Sequence, residues 1–323
     1  MSTISNAPTI LKDFLSYHET VKAHSAKTVD EYFLDLRTFF RYLKRSRGLV
    51  SPDTPWDSIS IADVDLELVG SVSLSEIYDY LIFLSRERQL NTASLARKIA
   101  AIRSFYRYLT SKAHLLEENP VQELDSPRMK KTLPRYLTLE ESLALLDAVQ
   151  GKNKERDYCI LMLFLNCGLR ISELVNLNVS DIQGDTIRVL GKGNKERILY
   201  LNDGCKAALE SYLTVRAMLS LQHEPALFVS NRRTRITRAG IHKMVKKYLL
   251  TAGLDASKYS AHKLRHTAAT LMLQNGVDVR TLQEVLGHDH LNTTQIYTHI
   301  SSDDLKIAAK ANPLADARRK KGS

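Results

Sequence analysis

The sequence predicts a mostly α-helical protein of two domains, with one small antiparallel β-sheet in the second domain. Three observations lead to this fold class. The chain has 323 residues, about the length of two domains. Apolar residues recur at helical spacing through most of it, whereas strand-like alternation is confined to the stretch from Asp185 to Leu201.

The first domain, residues 1–126, is predicted to be a four-helix bundle. Its helices are expected near residues 11–24, 28–47, 74–88 and 92–111. The second helix is predicted to begin at a capping box of Thr28 and Glu31 and to end at Gly48. Basic residues are expected to cover its solvent face: Arg37, Arg41, Lys44, Arg45 and Arg47.

The stretch from Leu49 to Ser71 differs from the helices around it. It contains two prolines and five acidic residues and lacks lysine and arginine. We interpret it as a long acidic connection. Because carboxylates repel phosphate, we expect it on the face of the domain that points away from any nucleic acid.

Residues 127–135 are predicted to be a linker. Pro127 and Pro134 disfavour helix and stiffen the connection. Four cations lie close together there: Arg128, Lys130, Lys131 and Arg135. Such a segment suits a strap across a sugar-phosphate backbone, and a solvated linker is the alternative.

The second domain, residues 136–323, opens at a predicted capping box of Thr138 and Glu141, with a helix to about Val149. A buried helix is expected over 155–166, ending near Gly168. Two strands, 185–190 and 196–201, are joined by a Gly-Lys-Gly-Asn turn and predict a hairpin. The remainder is predicted to be mainly helical.

The charge is divided unequally between the two parts. Through Ser126 there are 15 lysines and arginines against 17 acids, a net charge of −2, and beyond it 31 against 19, a net charge of +12. A basic domain of this kind indicates a polyanionic partner, most often nucleic acid.

Other function classes are excluded. The longest apolar run, Cys159 to Leu165, is far shorter than the roughly 18–20 residues of a membrane span. The N-terminus lacks the features of a secretion signal. The three cysteines lack metal or disulfide spacing, so we expect a protein of the reducing cytoplasm.

Four short motifs place polar residues where helices and turns begin or end. They are GLRISEL at 168–174, GKGNKER at 191–197, HKLRHT at 262–267 and LGHDHLNTTQIYTH at 286–299. In these boxes the chain resembles the tyrosine recombinase (phage integrase) family, and within it the Xer-like site-specific recombinases. The resemblance extends over roughly residues 10 to 310.

The resemblance implies six catalytic residues: Arg170, Lys192, His262, Arg265, His288 and Tyr297. The two arginines would bind the non-bridging phosphate oxygens, because guanidinium groups donate in pairs and stay charged. Tyr297 would be the nucleophile, and Lys192 would protonate the leaving 5′ oxygen. The histidines would hydrogen-bond the phosphate and accept the tyrosine proton. No metal or other cofactor is expected.

The resemblance also implies an architecture and partners. A SAM-like core-binding domain and a catalytic domain would form a C-shaped clamp on double-stranded DNA. The C-terminal segment from Leu305 would dock on a neighbouring subunit, with a frayed basic tail as the alternative. A homo-tetramer, or a hetero-tetramer with a related recombinase, would assemble on paired sites, with a DNA translocase or accessory protein as a further partner.

Separate basic residues are candidates for holding DNA. They are Arg97, Arg103 and Arg107 in the predicted helix 92–111, Lys130 and Lys131 in the linker, and Arg235, Lys243 and Lys246 in the second domain. A basic helix from about residue 238 is of a kind that can lie in a major groove.

Three functions remain open at this point. The leading hypothesis is a site-specific recombinase that acts in chromosome-dimer resolution, and so in chromosome partition and cell division, or in mobile-element integration. A type IB topoisomerase-like enzyme would share the chemistry without strand exchange. A non-catalytic DNA-binding protein is the third hypothesis, and the presence of Arg170 and Tyr297 argues against it.

Overall fold

The computed structural model describes residues 6–125, 135–191, 195–219, 221, 224–287 and 302–317. The chain divides into two compact units, Met1–Thr132 and Leu133–Ser323. Nearly all of the predicted linker, including Lys130 and Lys131, lies outside the described residues, so its contact with DNA stays a prediction.

The described residues confirm a mostly helical fold with one small antiparallel sheet. The helices of the first unit are α1 (Thr9–Thr20), α2 (Ala26–Ser46), α3 (Leu66–Gly70), α4 (Leu74–Arg86) and α5 (Thr92–Ser111). Those of the second are α6 (Leu139–Asp147), α7 (Lys154–Cys167), α8 (Ile171–Asn176), α9 (Asp203–Ala217), α10 (Arg238–Thr251), α11 (Ala261–Gln274), α12 (Val279–Leu286) and α13 (Ser302–Lys310). The strands are β1 (Ile182–Gln183), β2 (Thr186–Leu190) and β3 (Glu196–Tyr200), paired antiparallel in that order.

The first unit packs its four longer helices around an aromatic core. Phe14, Phe40 and Phe105 are fully buried, one from each of α1, α2 and α5. The Phe105 ring meets the other two edge-on, with centroids 5.3 and 5.7 Å away. This geometry is the favourable one for aromatic quadrupoles, and such pairs add about 0.5–1.5 kcal/mol each beyond area burial.

The start of α2 corrects one expectation. The cap is Ser25, whose hydroxyl accepts the backbone N–H of Thr28, and the helix begins at Ala26. The predicted box of Thr28 and Glu31 therefore lies inside the helix. Ser25 is as good an N-cap as Thr28, and its earlier position gives the helix most of one further turn.

The acidic stretch is folded against α2. Its Ile59, Ile61 and Val64 are buried in the first unit. Arg41 donates to Asp57 Oδ1 at 3.0 Å, and Lys44 Nζ lies 2.6 Å from Asp63 Oδ1. The hydrogen bond from Lys44 lowers the pKa of Asp63.

The expectation that Arg41 and Lys44 cover the solvent face of α2 is therefore wrong. Both are buried, with relative exposures of 8% and 5%. A buried cation is tolerated only with a partner, and the acidic stretch supplies those partners. Two of the five acids, Asp57 and Asp63, thus bind buried cations of α2, and a third, Asp65, caps α3.

The second unit is built around α7. Every residue from Asp157 to Cys167 is buried, and α7 packs chiefly against α9 and α11. The helix ends at Gly168, which has the left-handed φ of 58°. As the sequence predicts, α6 begins at the capping box of Thr138 and Glu141.

The C-terminal segment packs on the unit to which it belongs. Leu314 is fully buried in that unit's core, and Asn312 Nδ2 donates to Leu165 O at 2.9 Å. The N–H of Gly204 donates to Ala315 O at 2.6 Å. Residues 306–317 thus pack on their own unit in the single chain, residues 318–323 lie outside the described part, and docking of the segment from Leu305 on a neighbouring subunit stays a prediction.

None of the described helices is long and apolar enough to cross a bilayer.

His18 generates a prediction about pH. It is 6% exposed, its Nδ1 lies 3.1 Å from His24 Nδ1, and its Nε2 lies 3.1 Å from Ser104 Oγ. Burial, together with the nearby charges of His24 and Lys22, lowers its pKa to about 4. The unfolded chain takes up the proton near pH 6.5, so His18 contributes stability above that pH and loses it as the pH falls towards 4.

Between pH 7.5 and 5, the first unit should lose about 2 kcal/mol more unfolding free energy in the native protein than in His18→Gln. Urea unfolding followed by the fluorescence of Trp56, the chain's one tryptophan, measures this unit directly. Equal pH dependence of the two proteins would contradict the prediction.

Candidate active site

Three of the six predicted catalytic residues are described. Arg170 lies between α7 and α8, and His262 and Arg265 lie on the first turns of α11. The other three, Lys192, His288 and Tyr297, fall outside the described residues. Their assigned roles therefore stay predictions, and the geometry of the site comes from the residues around them.

Arg170 is held by a neighbouring carboxylate. It is the N-cap of α8, and its backbone N–H donates to Glu173 Oε2 at 2.8 Å. Its Nη1 donates to Oε1 of the same carboxylate at 2.7 Å. The side chain is 35% exposed, so part of the guanidinium stays accessible to a ligand.

Arg265 is buried and bound to main-chain oxygens. Its Nη1 donates to Gly168 O at 2.6 Å and its Nη2 to Leu286 O at 2.7 Å. Burial and the neighbouring charge of Arg170 lower its pKa to about 10, against the opposing effect of Glu173. The guanidinium is still charged at neutral pH.

Arg197, on β3, is the third arginine of the cluster. Its Nη1 and Nη2 donate to Glu173 Oε1 and Oε2 at 3.0 and 2.9 Å, and its Nε donates to Val285 O at 3.1 Å. A planar guanidinium matches a carboxylate in this two-bond geometry, which lysine cannot reproduce.

The three arginines bind three consecutive carbonyls at the end of α12. Arg197 binds the carbonyl of Val285, Arg265 that of Leu286, and Arg170 that of Gly287, the last at 3.0 Å. The final carbonyls of a helix have no partner within the helix, and the helix dipole makes this end negative. The turn therefore attracts cations and fixes their positions.

Glu173 balances part of this positive charge. Burial alone would raise its pKa, but hydrogen bonds from Arg197 and Arg170 outweigh burial and hold the pKa below its ordinary value. One carboxylate among three guanidinium groups leaves a net charge of about +2. The cluster is therefore suited to bind an anion. In nucleic acid that anion is the phosphodiester, whose non-bridging oxygens accept hydrogen bonds from guanidinium groups.

The two histidines of α11 differ in their surroundings. His262 is exposed on the first turn, where it can meet a ligand. His266 is half-buried with its ring 6.5 Å from that of Tyr136, and burial lowers its pKa, as do Lys263 and His262. We interpret His266 as structural. Among the described residues there is no group of three or more potential metal ligands.

The candidate DNA contacts differ in how much of each side chain is free. Lys243 and Lys246 are exposed on α10. Arg103 and Arg107 lie one turn apart on α5, and Arg107 is exposed, whereas Arg97 is 2.6 Å from the buried Asp35 carboxylate.

Arg235 is held inside the second unit. It donates to the carbonyls of Val175 and Leu177 and to Asn178 Oδ1, at 2.8, 3.0 and 2.6 Å. Those bonds anchor the chain before α10, and a contact of the half-buried Arg235 with DNA stays a prediction.

Sequence reasoning missed Glu173 and Arg197. Both lie inside the quoted boxes, GLRISEL and GKGNKER. A usable signal exists for Arg197, because Arg197 shares a strand face with the buried Leu199, so a charge occupies a position where alternation predicts an apolar residue. Glu173 carries the weaker signal of lying three residues after Arg170, on the same helical face.

Comparisons of the sequence with known proteins give consistent results. The phage integrase family matches residues 135–303, and the phage integrase N-terminal SAM-like domain matches residues 11–113. The chain is 52% identical over 309 residues to tyrosine recombinase XerC of Caldanaerobacter subterraneus subsp. tengcongensis, covering 95% of this chain and 88% of that relative.

Solved structures show the same fold. The XerH site-specific recombinase bound to palindromic difH substrate superposes with a TM-score of 0.64 at 22% identity, covering 93% of this chain and 84% of that chain. A lambda integrase tetramer bound to a Holliday junction gives 0.62 at 18% identity, covering 89% and 80%. At these identities the likeness concerns the fold alone.

Gly168 generates a prediction about the site. At its φ of +58°, an added Cβ would lie 2.6 Å from Leu286 Cδ2, beside the carbonyl that holds Arg265. We expect Gly168→Ala to cost about 2–4 kcal/mol, from backbone strain together with overpacking.

Gly253 supplies the matched control. Its φ is +73°, but an added Cβ there would meet nothing within 4 Å. We expect Gly253→Ala to cost about 1–2 kcal/mol from the backbone alone. Guanidinium unfolding of the two variants measures the difference, and equal losses would contradict the argument.

Proposed function

The chain belongs to the phage integrase family of tyrosine recombinases, and we propose that it cleaves and rejoins DNA through a covalent intermediate on Tyr297. The observation that carries this proposal is the anion site built from Arg170 and Arg265. The positions of both match the family's motif, and both are fixed by main-chain carbonyls of one helix end.

The arginines would act on the phosphate. In an in-line displacement, negative charge grows on the two non-bridging oxygens as the phosphorus becomes five-coordinate. Arg170 and Arg265 each use two of their five N–H groups in the hydrogen bonds given above, which leaves donors for those oxygens. Donors already fixed in place stabilise the transition state without reorganisation.

Tyr297 would attack phosphorus with its phenolic oxygen. Ionising a free tyrosine at pH 7 costs roughly 4 kcal/mol, because its pKa is about 10. The net positive charge of the arginine cluster favours the phenolate and reduces that cost. His262 or His288 would take the phenolic proton.

The leaving group is the 5′ oxygen of the next nucleotide. As the bond from Tyr297 to phosphorus forms, the bond to this oxygen breaks, and Lys192 would supply its proton. The products are a 3′-phosphotyrosyl link and a free 5′ hydroxyl. Because the phosphotyrosyl bond conserves the energy of the phosphodiester, a 5′ hydroxyl from a partner strand can reverse the step without ATP.

We propose that α10 and α5 supply contacts to duplex DNA. Lys243 and Lys246 extend from the exposed face of α10, whose other face, Met244 and Val245 among its residues, is buried. Arg103 and Arg107 are the corresponding candidates on α5. The carboxylates of the acidic stretch 49–71 repel phosphate. We therefore propose that this stretch faces away from the DNA.

The assembly follows from the chemistry. Exchange between two duplexes cuts four strands, each cut uses one tyrosine, and four subunits supply four. We propose a tetramer of this chain, alone or with a related recombinase, in the cytoplasm. A translocase or accessory protein as partner stays a prediction, as does the closure of both units on DNA.

The comparisons favour a recombinase over the two other hypotheses. The relative at 52% identity is named a tyrosine recombinase, and its match extends over both units. Relaxation of non-specific DNA by a topoisomerase-like monomer is therefore not favoured. Whether the substrate is a chromosomal or a mobile-element site is decided by sequencing DNA that co-purifies with Tyr297→Phe.

The nucleophile gives the first prediction of function. With a nicked suicide duplex that contains the target site, native protein should form a covalent adduct and Tyr297→Phe none, while its DNA affinity stays within threefold. Tyr78→Phe, an exposed tyrosine of the first unit, is the matched control and should react as the native protein does. Denaturing gel electrophoresis measures the adduct, and an adduct with Tyr297→Phe would remove that residue from the mechanism.

The basic face of α10 gives the second prediction of function. Each neutralised phosphate contributes about −0.9 to the slope of log affinity against log salt, so Lys243→Ala/Lys246→Ala should reduce the slope by about 1.8. The control is Lys206→Ala/Lys258→Ala, whose side chains pair with Asp203 and Asp255 and should leave the slope unchanged. Salt titration of binding by fluorescence anisotropy tests this, and equal slopes for the two double variants would place the DNA elsewhere.

A further inference from the structure

We propose that Arg197 is a positioning residue for DNA cleavage, which holds the base of the β2–β3 hairpin in register with the two phosphate-binding arginines. Lys192 lies between β2 and β3 in the sequence, and its catalytic role is part of the function proposed above, on which this inference rests. Arg197 itself donates three of its five N–H groups to Glu173 and Val285, so we assign it a role toward the protein and not toward the phosphate. Its effect would pass through the groups that it touches.

The guanidinium of Arg197 connects separate elements of the second unit. From β3 it reaches Glu173 on α8 with two hydrogen bonds, and Val285 at the end of α12 with a third. Three of its five N–H groups are thus used, on two elements that are far from β3 in sequence. The strand is thereby fixed to the elements that hold Arg170 and Arg265.

Two glycines enclose the Arg197 side chain. A Cβ built on Gly191 would lie 3.8 Å from its Nη1, and one built on Gly287 would lie 3.1–3.3 Å from its Nη1, Cδ and Cζ. Gly191 immediately precedes Lys192, and Gly287 immediately precedes His288. One guanidinium therefore lies beside both of the glycines that precede these two predicted catalytic residues in the sequence.

The base of the hairpin is closed directly beside this contact. The N–H of Gly191 donates to Lys195 O at 2.7 Å, which pairs the residues on either side of the turn. The Arg197 side chain joins this short hairpin to both α8 and α12 by hydrogen bonds, in addition to the apolar core that the strands share with α8. Displacing that side chain would free the base of the turn to shift relative to Arg170.

The charge balance gives a second effect of Arg197. Arg197 binds both oxygens of Glu173, so the side chain of Arg170 binds only Oε1. Without Arg197, both oxygens would be open to Arg170, and a two-bond pair with Glu173 would draw its guanidinium away from the phosphate. Arg197 thus keeps Arg170 available.

A leaving-group substitution separates positioning of the lysine from loss of structure. A 5′ thiolate leaves without protonation, since a thiol has a pKa near 8.5, far below that of an alcohol. A suicide duplex with sulfur as the bridging 5′ atom therefore no longer needs Lys192. Any variant whose defect is a misplaced lysine should regain cleavage on the sulfur substrate.

The experiment measures single-turnover rates of adduct formation on matched oxygen and sulfur duplexes. Arg197→Met should lose about 100-fold on oxygen, within the range that general acid catalysis contributes. It should regain at least tenfold on sulfur, with DNA affinity within threefold of the native value. Lys192→Ala should show the same pattern, and it calibrates the size of the recovery.

Arg188→Met is the matched control. Arg188 lies on β2 in the same hairpin, is 47% exposed, and pairs with Asp181 and Glu196 on the outer face. It should react within threefold of the native protein on both substrates. If Arg197→Met does not fold, Arg197→Lys keeps a cation beside Glu173 but cannot span its acceptors, and it carries the same prediction.

The outcomes are distinguishable. If native protein forms no adduct on its target site, the proposed function fails. If native protein reacts and the Arg197 variants react within threefold of it on oxygen, Arg197 has no positioning role. If they lose the same factor on oxygen and on sulfur, the loss does not pass through Lys192, which overturns the positioning of the hairpin by Arg197 and leaves only its effect on Arg170.

Discussion

The last turn of α12 is the constraint on which the active site depends. Its final carbonyls have no partners within the helix, and arginines from three other parts of the second unit bind them. Each bond fixes one guanidinium, and their spacing along the turn fixes the guanidinium groups relative to one another. Glu173 then offsets enough of their mutual repulsion for three cations to remain close together.

The last turn of α12 rests on the core of the second unit. The helix α7, which is buried from Asp157 to Cys167, ends at Gly168, and the carbonyl of that glycine is the second acceptor for Arg265. Leu286, at the end of α12, lies close to Gly168, and Arg265 donates to one carbonyl from each of these two negative helix ends. The first unit uses the same principle, since its buried cations on α2 are bound by a segment rich in carboxylates.

Much of the fold was predictable from periodicity and capping, and some of the site was not. The bounds of α5 and the box at Thr138 are as predicted, because both depend on local sequence. The burial of Arg41 was missed because a charged residue is predicted to be exposed unless its partner is known. Its partner, Asp57, lies 16 residues away in the sequence. The same limit applies to Arg197, whose acceptors are distant in sequence, whereas Arg170 and Arg265 were found through the family motif.

The acceptors at the end of α12 are main-chain oxygens, and this has a consequence for how the protein can diverge. Replacing the side chain of Val285 or Leu286 leaves the carbonyl that binds the arginine, so no single substitution removes an acceptor. Gly287 is the exception, since at its φ of +64° an added Cβ would press on Arg197. Substitutions along α12 before this glycine should therefore leave the positions of the three arginines unchanged. The exposed residues of the helix can then vary without a loss of catalytic geometry.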